Sequence, residues 1–273
     1  VAAACALVAA LGFGCASIPS QPGVFEVTHH DLVVDNRKID TLYVTPAKPR
    51  EPATIVAYFS GDAGFLGTAG EVLEHLAEDG FYAVGYNARD ALRPYKQSGT
   101  QISIDLTADN VETALERSRV VLGLPENTPL VIAGYSRGAS AVVITAAHPG
   151  LRARVAGAIA IALTRETDYL KTPRKTQRPQ GLELDEKGRV LLYPALKHIG
   201  DKPLAVIQST GDGYVPAAES RRLMGPDTPT LRLYIVEAKN HGFGGGHDAL
   251  LRDLDDALQW IGSFKDSDAA PPR

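Results

Sequence analysis

The chain has 273 residues, 44% of them hydrophobic, enough for one sizeable core and ordinary for a single α/β domain. A formal charge of -4 gives no general pull toward nucleic acid, and the sequence holds no zinc knuckle, basic helix or aromatic strand platform. The two cysteines are Cys5 and Cys15, which excludes cysteine nucleophiles, thiolate metal sites and disulfides from the body of the chain.

The opening V-A-A-A-C-A-L-V-A-A-L-G-F-G-C-A-S is uncharged, rich in Ala and without periodicity, and S-I-P-S-Q-P-G around its end reads as a linker. This composition suits the apolar part of an export signal, and the stretch is too short and weakly flanked to be a secure membrane span. Residues 1–20 are therefore expected to be the remainder of a signal peptide or lipoprotein leader, with a buried helix as the alternative. Cys15 is a candidate for lipid attachment, although Gly12 stands where an aliphatic residue is usual. The expected location is outside the inner membrane, in a periplasm. Residues 21–273 are expected to form one domain.

From Val24 to Val44 the pattern predicts two strands joined at D-N-R-K, hence a hairpin. T-I-V-A-Y-F is a short apolar run of the kind buried on both faces of a sheet. G-T-A-G-E-V-L-E-H-L-A-E-D-G has helical spacing and stops at Gly80; F-Y-A-V-G-Y is the next strand, followed by a long loop. A second amphipathic helix covers T-A-D-N-V-E-T-A-L-E-R-S-R-V-V-L, and T-P-L-V-I-A-G-Y is a third buried strand. A small-residue helix over Ala139 to Ala147 comes next, then strands at V-A-G-A-I-A-I-A-L, K-P-L-A-V-I-Q-S and T-L-R-L-Y-I-V-E-A. A closing helix begins at His247. Short apolar strands alternating with helices predict an α/β fold: a mostly parallel central sheet covered on both faces and led by the hairpin. Between residues 165 and 197 the rhythm breaks into a charged insertion, placed to roof a site at the carboxyl ends of the strands or else to run through solvent.

G-Y-S-R-G, Gly134 to Gly138, stands between a buried strand and a small-residue helix. Glycines two residues either side of a serine suit a sharp strand-to-helix turn, where two backbones meet and the hydroxyl projects at a helix N-terminus. A neutral serine is a weak nucleophile and needs a base and an acid to orient that base. Asp212 follows a strand in S-T-G-D-G-Y-V-P, and His241 follows the last strand in K-N-H-G-F. Ser136, Asp212 and His241 therefore occur in chain order at three strand ends, with Ser136 as nucleophile, His241 as base and Asp212 as its partner. A turn aspartate bonded to its own backbone is the alternative for Asp212, and His247 is the rival base. The oxyanion donors are expected to be the backbone N–H of Arg137 and those of Gly61 and Asp62 in S-G-D-A-G-F. That loop lacks the lysine of a phosphate-binding loop and the dinucleotide glycine pattern, so no cofactor is expected. His29, His30, His75, His148 and His198 show no partners at ligand spacing, so no metal is expected either. Asp62, Asp90 and Arg137 are candidates for contacting substrate, and a pairing of Asp62 with Arg137 across the mouth of the site is the favoured arrangement.

These motifs resemble the α/β-hydrolase superfamily. More narrowly, S-G-D-A-G-F, A-V-G-Y-N, the helix with T-A-D and G-Y-S-R-G-A resemble the bacterial virulence proteins VirJ and the C-terminal half of AcvB. That family typically has S-G-D-G-G-W and G-Y-S-F-G-A-D; here Ala63, Phe65, Arg137 and Ser140 differ, and A-R-D-A-L-R-P-Y replaces its Y-F-W element. The resemblance implies a periplasmic serine hydrolase acting on an aminoacyl ester of a phospholipid such as lysyl-phosphatidylglycerol, with a membrane surface as a candidate contact. Two other readings are weighed beside it: an idle hydrolase scaffold serving an envelope or secretion complex, and a serine peptidase of the same fold.

Overall fold

The structure, a computed structural model, describes residues 18–34, 36–98, 102–167, 170–171 and 182–264. Residues 1–17 of the expected leader, Cys15 among them, and the middle of the charged insertion lie outside the described residues, while Ile18, within the expected leader, is buried in the core. Eight strands form one sheet: β1 (Phe25–Val34), β2 (Arg37–Pro46), β3 (Ile55–Phe59), β4 (Tyr82–Tyr86), β5 (Leu130–Tyr135), β6 (Gly157–Ile161), β7 (Leu204–Ser209) and β8 (Leu231–Val236). Their spatial order is β1-β2-β4-β3-β5-β6-β7-β8. β1 and β2 make the expected antiparallel hairpin, β2 lies antiparallel to β4, and β3 through β8 pair in parallel.

Continuous apolar strands work here because successive side chains enter opposite cores. Ile55, Ala57 and Phe59 of β3, with Leu130 and Ile132 of β5, pack under α3 (Ile104–Leu122) and α4 (Arg137–Ala147). Val56 and Tyr58, with Val131 and Ala133, pack under α1 (Thr68–Glu78) and the closing helix, here α6 (His247–Ser263). Each helix offers the sheet one stripe: Val72, Leu73 and Leu76 on α1, and Leu250, Leu254, Leu258 and Ile261 on α6. Helices α2 (Ala88–Ser98) and α5 (Ala217–Met224) complete the main set.

The stretch after β4 is helix α2 rather than the expected long loop. Asn87 starts it: its carbonyl accepts the N–H of Ala91, and its side-chain oxygen accepts the N–H of Asp90 at 3.3 Å. A charge-rich composition and Pro94 hide the helical period in the sequence. Part of the insertion is ordered as well: Glu166–Thr167 pairs with Val190–Leu191, which pairs with Glu183–Leu184. Among the described residues no helix is long and apolar enough to cross a membrane.

Candidate active site

β5 runs into α4 through Ser136, whose backbone holds φ 55° and ψ -111°. A non-glycine residue in that region costs of order 1–3 kcal/mol, and the surroundings must hold it there. Ser136 N–H donates to Ile161 O of the neighbouring strand at 2.8 Å. The two flanking glycines remove the steric obstacle: a Cβ on Gly138 would lie 2.0 Å from Phe59 O, and one on Gly134 would lie 2.4 Å from the Gly138 backbone. The turn thus places Ser136 Oγ outside the sheet at the positive end of α4.

Asp212, in the turn after β7, is buried and its carboxylate accepts four hydrogen bonds. The donors are His241 Nδ1 at 2.7 Å, Gln208 Nε2 at 2.9 Å, Tyr214 N at 2.8 Å and Val215 N at 3.3 Å. Burying a charge is tolerable only with such pairing. Because a carboxylate only accepts, Nδ1 of His241 carries its proton, and Nε2 is left to accept from Ser136 Oγ at 2.8 Å. The structure therefore brings Ser136, His241 and Asp212 into one hydrogen-bonded row. The ring of Tyr214 stands edge-on to His241, 4.8 Å between centroids.

The loop carrying His241 is tied down by donors that the sequence does not advertise. Tyr135 Oη donates to His241 O at 2.9 Å and Thr68 Oγ1 donates to Gly242 O at 2.8 Å. Burial, helped by the charge of Asp212, pushes the Tyr135 hydroxyl up to about 12, so it stays a donor at neutral pH. His247, the rival base, contacts Gly242 O through Nε2 at 2.9 Å and Glu71 through Nδ1 at 2.7 Å. It props the loop, and His241 alone of the two meets Ser136.

Ser60 anchors the other side: its N–H donates to Tyr86 O and its Oγ accepts the N–H of Ala88 at 3.1 Å. The loop then folds back, Gly64 N–H donating to Gly61 O at 3.1 Å. Gly61 abuts Ser136, since a Cβ on Gly61 would sit 3.4 Å from Ser136 Cβ. Arg137 follows Ser136 in the first turn of α4, where helix geometry aims N–H groups outward. Its guanidinium donates to both Asp62 carboxylate oxygens, at 2.5 and 2.9 Å. The Asp62 charge is thereby turned onto a cation and away from the place where an oxyanion would form.

A cleft of about 410 Å³ opens over Ser136, walled by Asp62, Arg137, Arg165, Glu166, Thr167 and Arg189. Asp90, expected to contact substrate, is not in this wall. Its carboxylate accepts from Asn87 Nδ2 at 2.9 Å at the start of α2, and it lines a separate cavity. Sequence reasoning also passed over Gln208, Tyr135 and the wall residues of the insertion. A glutamine four residues before the acid and a tyrosine next to the nucleophile were the available signals for the first two.

His75 differs from expectation too. Its Nε2 meets Asp255 Oδ1 at 2.8 Å, joining α1 to α6, and that hydrogen bond raises the imidazole pKa. Asp79 lies close by, and the three residues present ligand-type atoms within 4.8 Å of one another. The partner is 180 positions away, so no spacing rule could reveal it. None of the three lines the Ser136 cleft.

No protein-family model and no curated protein matches the chain. Solved structures do. A Klebsiella pneumoniae protein assigned as a dienelactone hydrolase superposes with a TM-score of 0.62 at 14% identity, over 88% of this chain and all of the other. Est1E from Butyrivibrio proteoclasticus gives 0.57 at 15% identity, over 87% of this chain and 99% of its own. Pyrococcus horikoshii acylaminoacyl peptidase gives 0.58 at 16% identity, with 88% of this chain matching only 41% of that protein. Likeness at these identities is likeness of fold, and the fold is the α/β-hydrolase fold. None of the three speaks to the narrower resemblance to VirJ and AcvB.

Proposed function

We propose that the chain is a serine hydrolase that cleaves carboxylic esters through an acyl-enzyme. The observation that carries this reading is His241, bonded through one ring nitrogen to Ser136 Oγ and through the other to Asp212. His241 Nε2 takes the hydroxyl proton as Oγ bonds to the ester carbonyl carbon, and Asp212 holds the imidazolium so formed. The resulting oxyanion faces the backbone N–H of Arg137 and the Gly61–Asp62 loop. Collapse breaks the bond to the alcohol oxygen, which takes the proton from His241. Water then gives a proton to His241 as its oxygen bonds to the acyl carbon; the bond from that carbon to Oγ breaks, His241 returns the proton to Ser136 Oγ, and the acid leaves. An idle scaffold has no need of a hydrogen-bonded row of this kind, and the cleft's charges are matched internally, Arg137 with Asp62 and Arg189 with Glu166, which favours an ester over a peptide held by its charged terminus.

For the substrate, the motif resemblance supports an aminoacyl ester of a phospholipid, such as lysyl-phosphatidylglycerol. Export to the periplasm, with a lipid on Cys15 and contact with a membrane surface, rests on the composition of the leader. A serine-directed fluorophosphonate, followed by peptide mapping, is expected to label Ser136 in the native chain and nothing in Ser136→Ala; absence of an adduct on folded protein would overturn the hydrolase reading. The finer substrate is tested by Asp62→Asn: a drop in kcat/KM for lysyl esters alone supports amine recognition, and equal losses on lysyl and neutral acyl esters remove it.

A further inference from the structure

Two chambers meet at Arg137. The first is the polar cleft over Ser136. The second, of about 280 Å³, lies on the far side of the Arg137 side chain, between the β1–β2 hairpin and helices α2, α3 and α4. Most of its wall area is apolar, from Leu32, Ile39, Phe59, Leu92, Val111 and Ala141 among others, and Arg37, Lys38, Asp90 and Arg93 line it as well. Arg137 lines both chambers, and Asp62 holds its guanidinium from the cleft side. The cleft has the opposite character. Beyond its ion pairs, its lining includes Thr167, whose buried hydroxyl meets no hydrogen-bond partner among the described residues.

We propose that the second chamber is the binding site for the acyl chain of the ester, and that the Arg137–Asp62 pair is the partition this chain passes to reach it. The argument is one of continuity and polarity. Ser136, the residue before Arg137, holds the scissile carbonyl, so the two substituents of that carbonyl must leave it in different directions. One direction ends in charged and hydroxyl groups, where an apolar chain would strip water from them without replacing it. The other ends in apolar side chains, where each buried methylene improves binding about fourfold. The chain of choice is therefore an uncharged alkyl chain, with the polar portion of the ester lying toward Thr167. The proposal rests on the serine hydrolase reading alone and takes an uncharged alkanoyl ester as substrate in place of the aminoacyl ester; the chain-length series below and the Asp62→Asn comparison above separate the two.

The test is a chain-length series of 4-nitrophenyl esters, from acetate to dodecanoate, on the full chain. The ratio of kcat/KM for octanoate over acetate is expected to exceed about tenfold, given roughly fourfold per accommodated methylene, and to fall once the chamber is full. Ala141→Phe and Ala91→Phe fill the chamber from two different helices, and both positions are only partly buried, so the added rings enter open space. Each is expected to lower the ratio about tenfold or more. Arg137→Ala removes the partition and should raise the ratio, which a purely structural role of that side chain would not do. In a crystal of the octylphosphonate adduct of Ser136 the alkyl chain should run past residue 137 into the chamber. A ratio that is flat or falls from acetate onward, filled variants with an unchanged ratio, or an adduct whose chain points into solvent would each overturn the proposal. If the phosphonate fails to label Ser136, the hydrolase reading fails; labelling with a flat series leaves that reading standing and removes only the chamber.

Discussion

On the sheet side of the cleft, Ser136, Asp212 and His241 sit at the ends of β5, β7 and β8, braced by buried Gln208 and by Tyr135 and Thr68. In the described part of the roof, residues 165–167 and 182–191 combine short strand pairings with ion pairs between partly exposed side chains, Arg189 with Asp185 and Glu166, and Arg165 with Glu219. The first wall is tied together by hydrogen bonds among buried and half-buried groups. Exposed pairs exchange readily with water and contribute little each. On the proposed function, the chemistry falls to the hydrogen-bonded wall and the roof shapes what enters.

The largest effect should come from the reacting row. Ser136→Ala, His241→Ala and Asp212→Asn are each expected to lower kcat about 10³-fold or more, with the double variants hardly worse than the singles because the residues act as a unit. Circular dichroism should show the fold intact, and near-normal turnover by folded Ser136→Ala would break the assignment. Next comes Gly138→Ala, whose Cβ would press on Phe59 O. Overpacking of this kind is expected to cost about 3 kcal/mol, or roughly 6–12 °C in Tm by calorimetry. A Tm unchanged within a degree would mean the turn has room that the structure does not show.

Gln208→Leu probes the bracing behind the row. It strips Nε2 from Asp212 and Val215 O, and the side-chain oxygen from the Leu163 N–H. Leaving buried groups unmet is expected to cost about 1–3 kcal/mol in denaturant melts, with kcat lowered about tenfold. Loss of stability with kcat untouched would reduce Gln208 to a core residue. On the roof, Arg189→Gln should be the mildest: stability down by less than about 1 kcal/mol, and KM raised a few fold with little change in kcat. A collapse of kcat there would erase the distinction between the two walls.

Much of this was legible in one dimension. Strand and helix periods mark β1 to β8 and the principal helices, and Gly134, Ser136 and Gly138 mark the nucleophile turn because only those residue types permit two backbones to cross there. The chain order of Ser136, Asp212 and His241 was visible for the same local reason, each following an apolar strand. Helix α2 was hidden because its start depends on an Asn87 cap and because Pro94 and the charged residues mask the helical spacing of Ala88, Ala91, Leu92 and Tyr95.

What tertiary structure alone decided are pairings between residues far apart in the chain. Tyr135 reaches His241 O across 106 positions, while Asp90, a substrate candidate by sequence, is drawn into the cap of α2 and lies outside the cleft; the pairing of Asp62 with Arg137, expected from the two loops, is the exception. Local sequence fixes backbone shape, since sterics and hydrogen-bond periods act over a few residues. Which side chains face one another across a cleft is set by how the strands are ordered in the sheet and how the helices pack on it, and no local pattern encodes that.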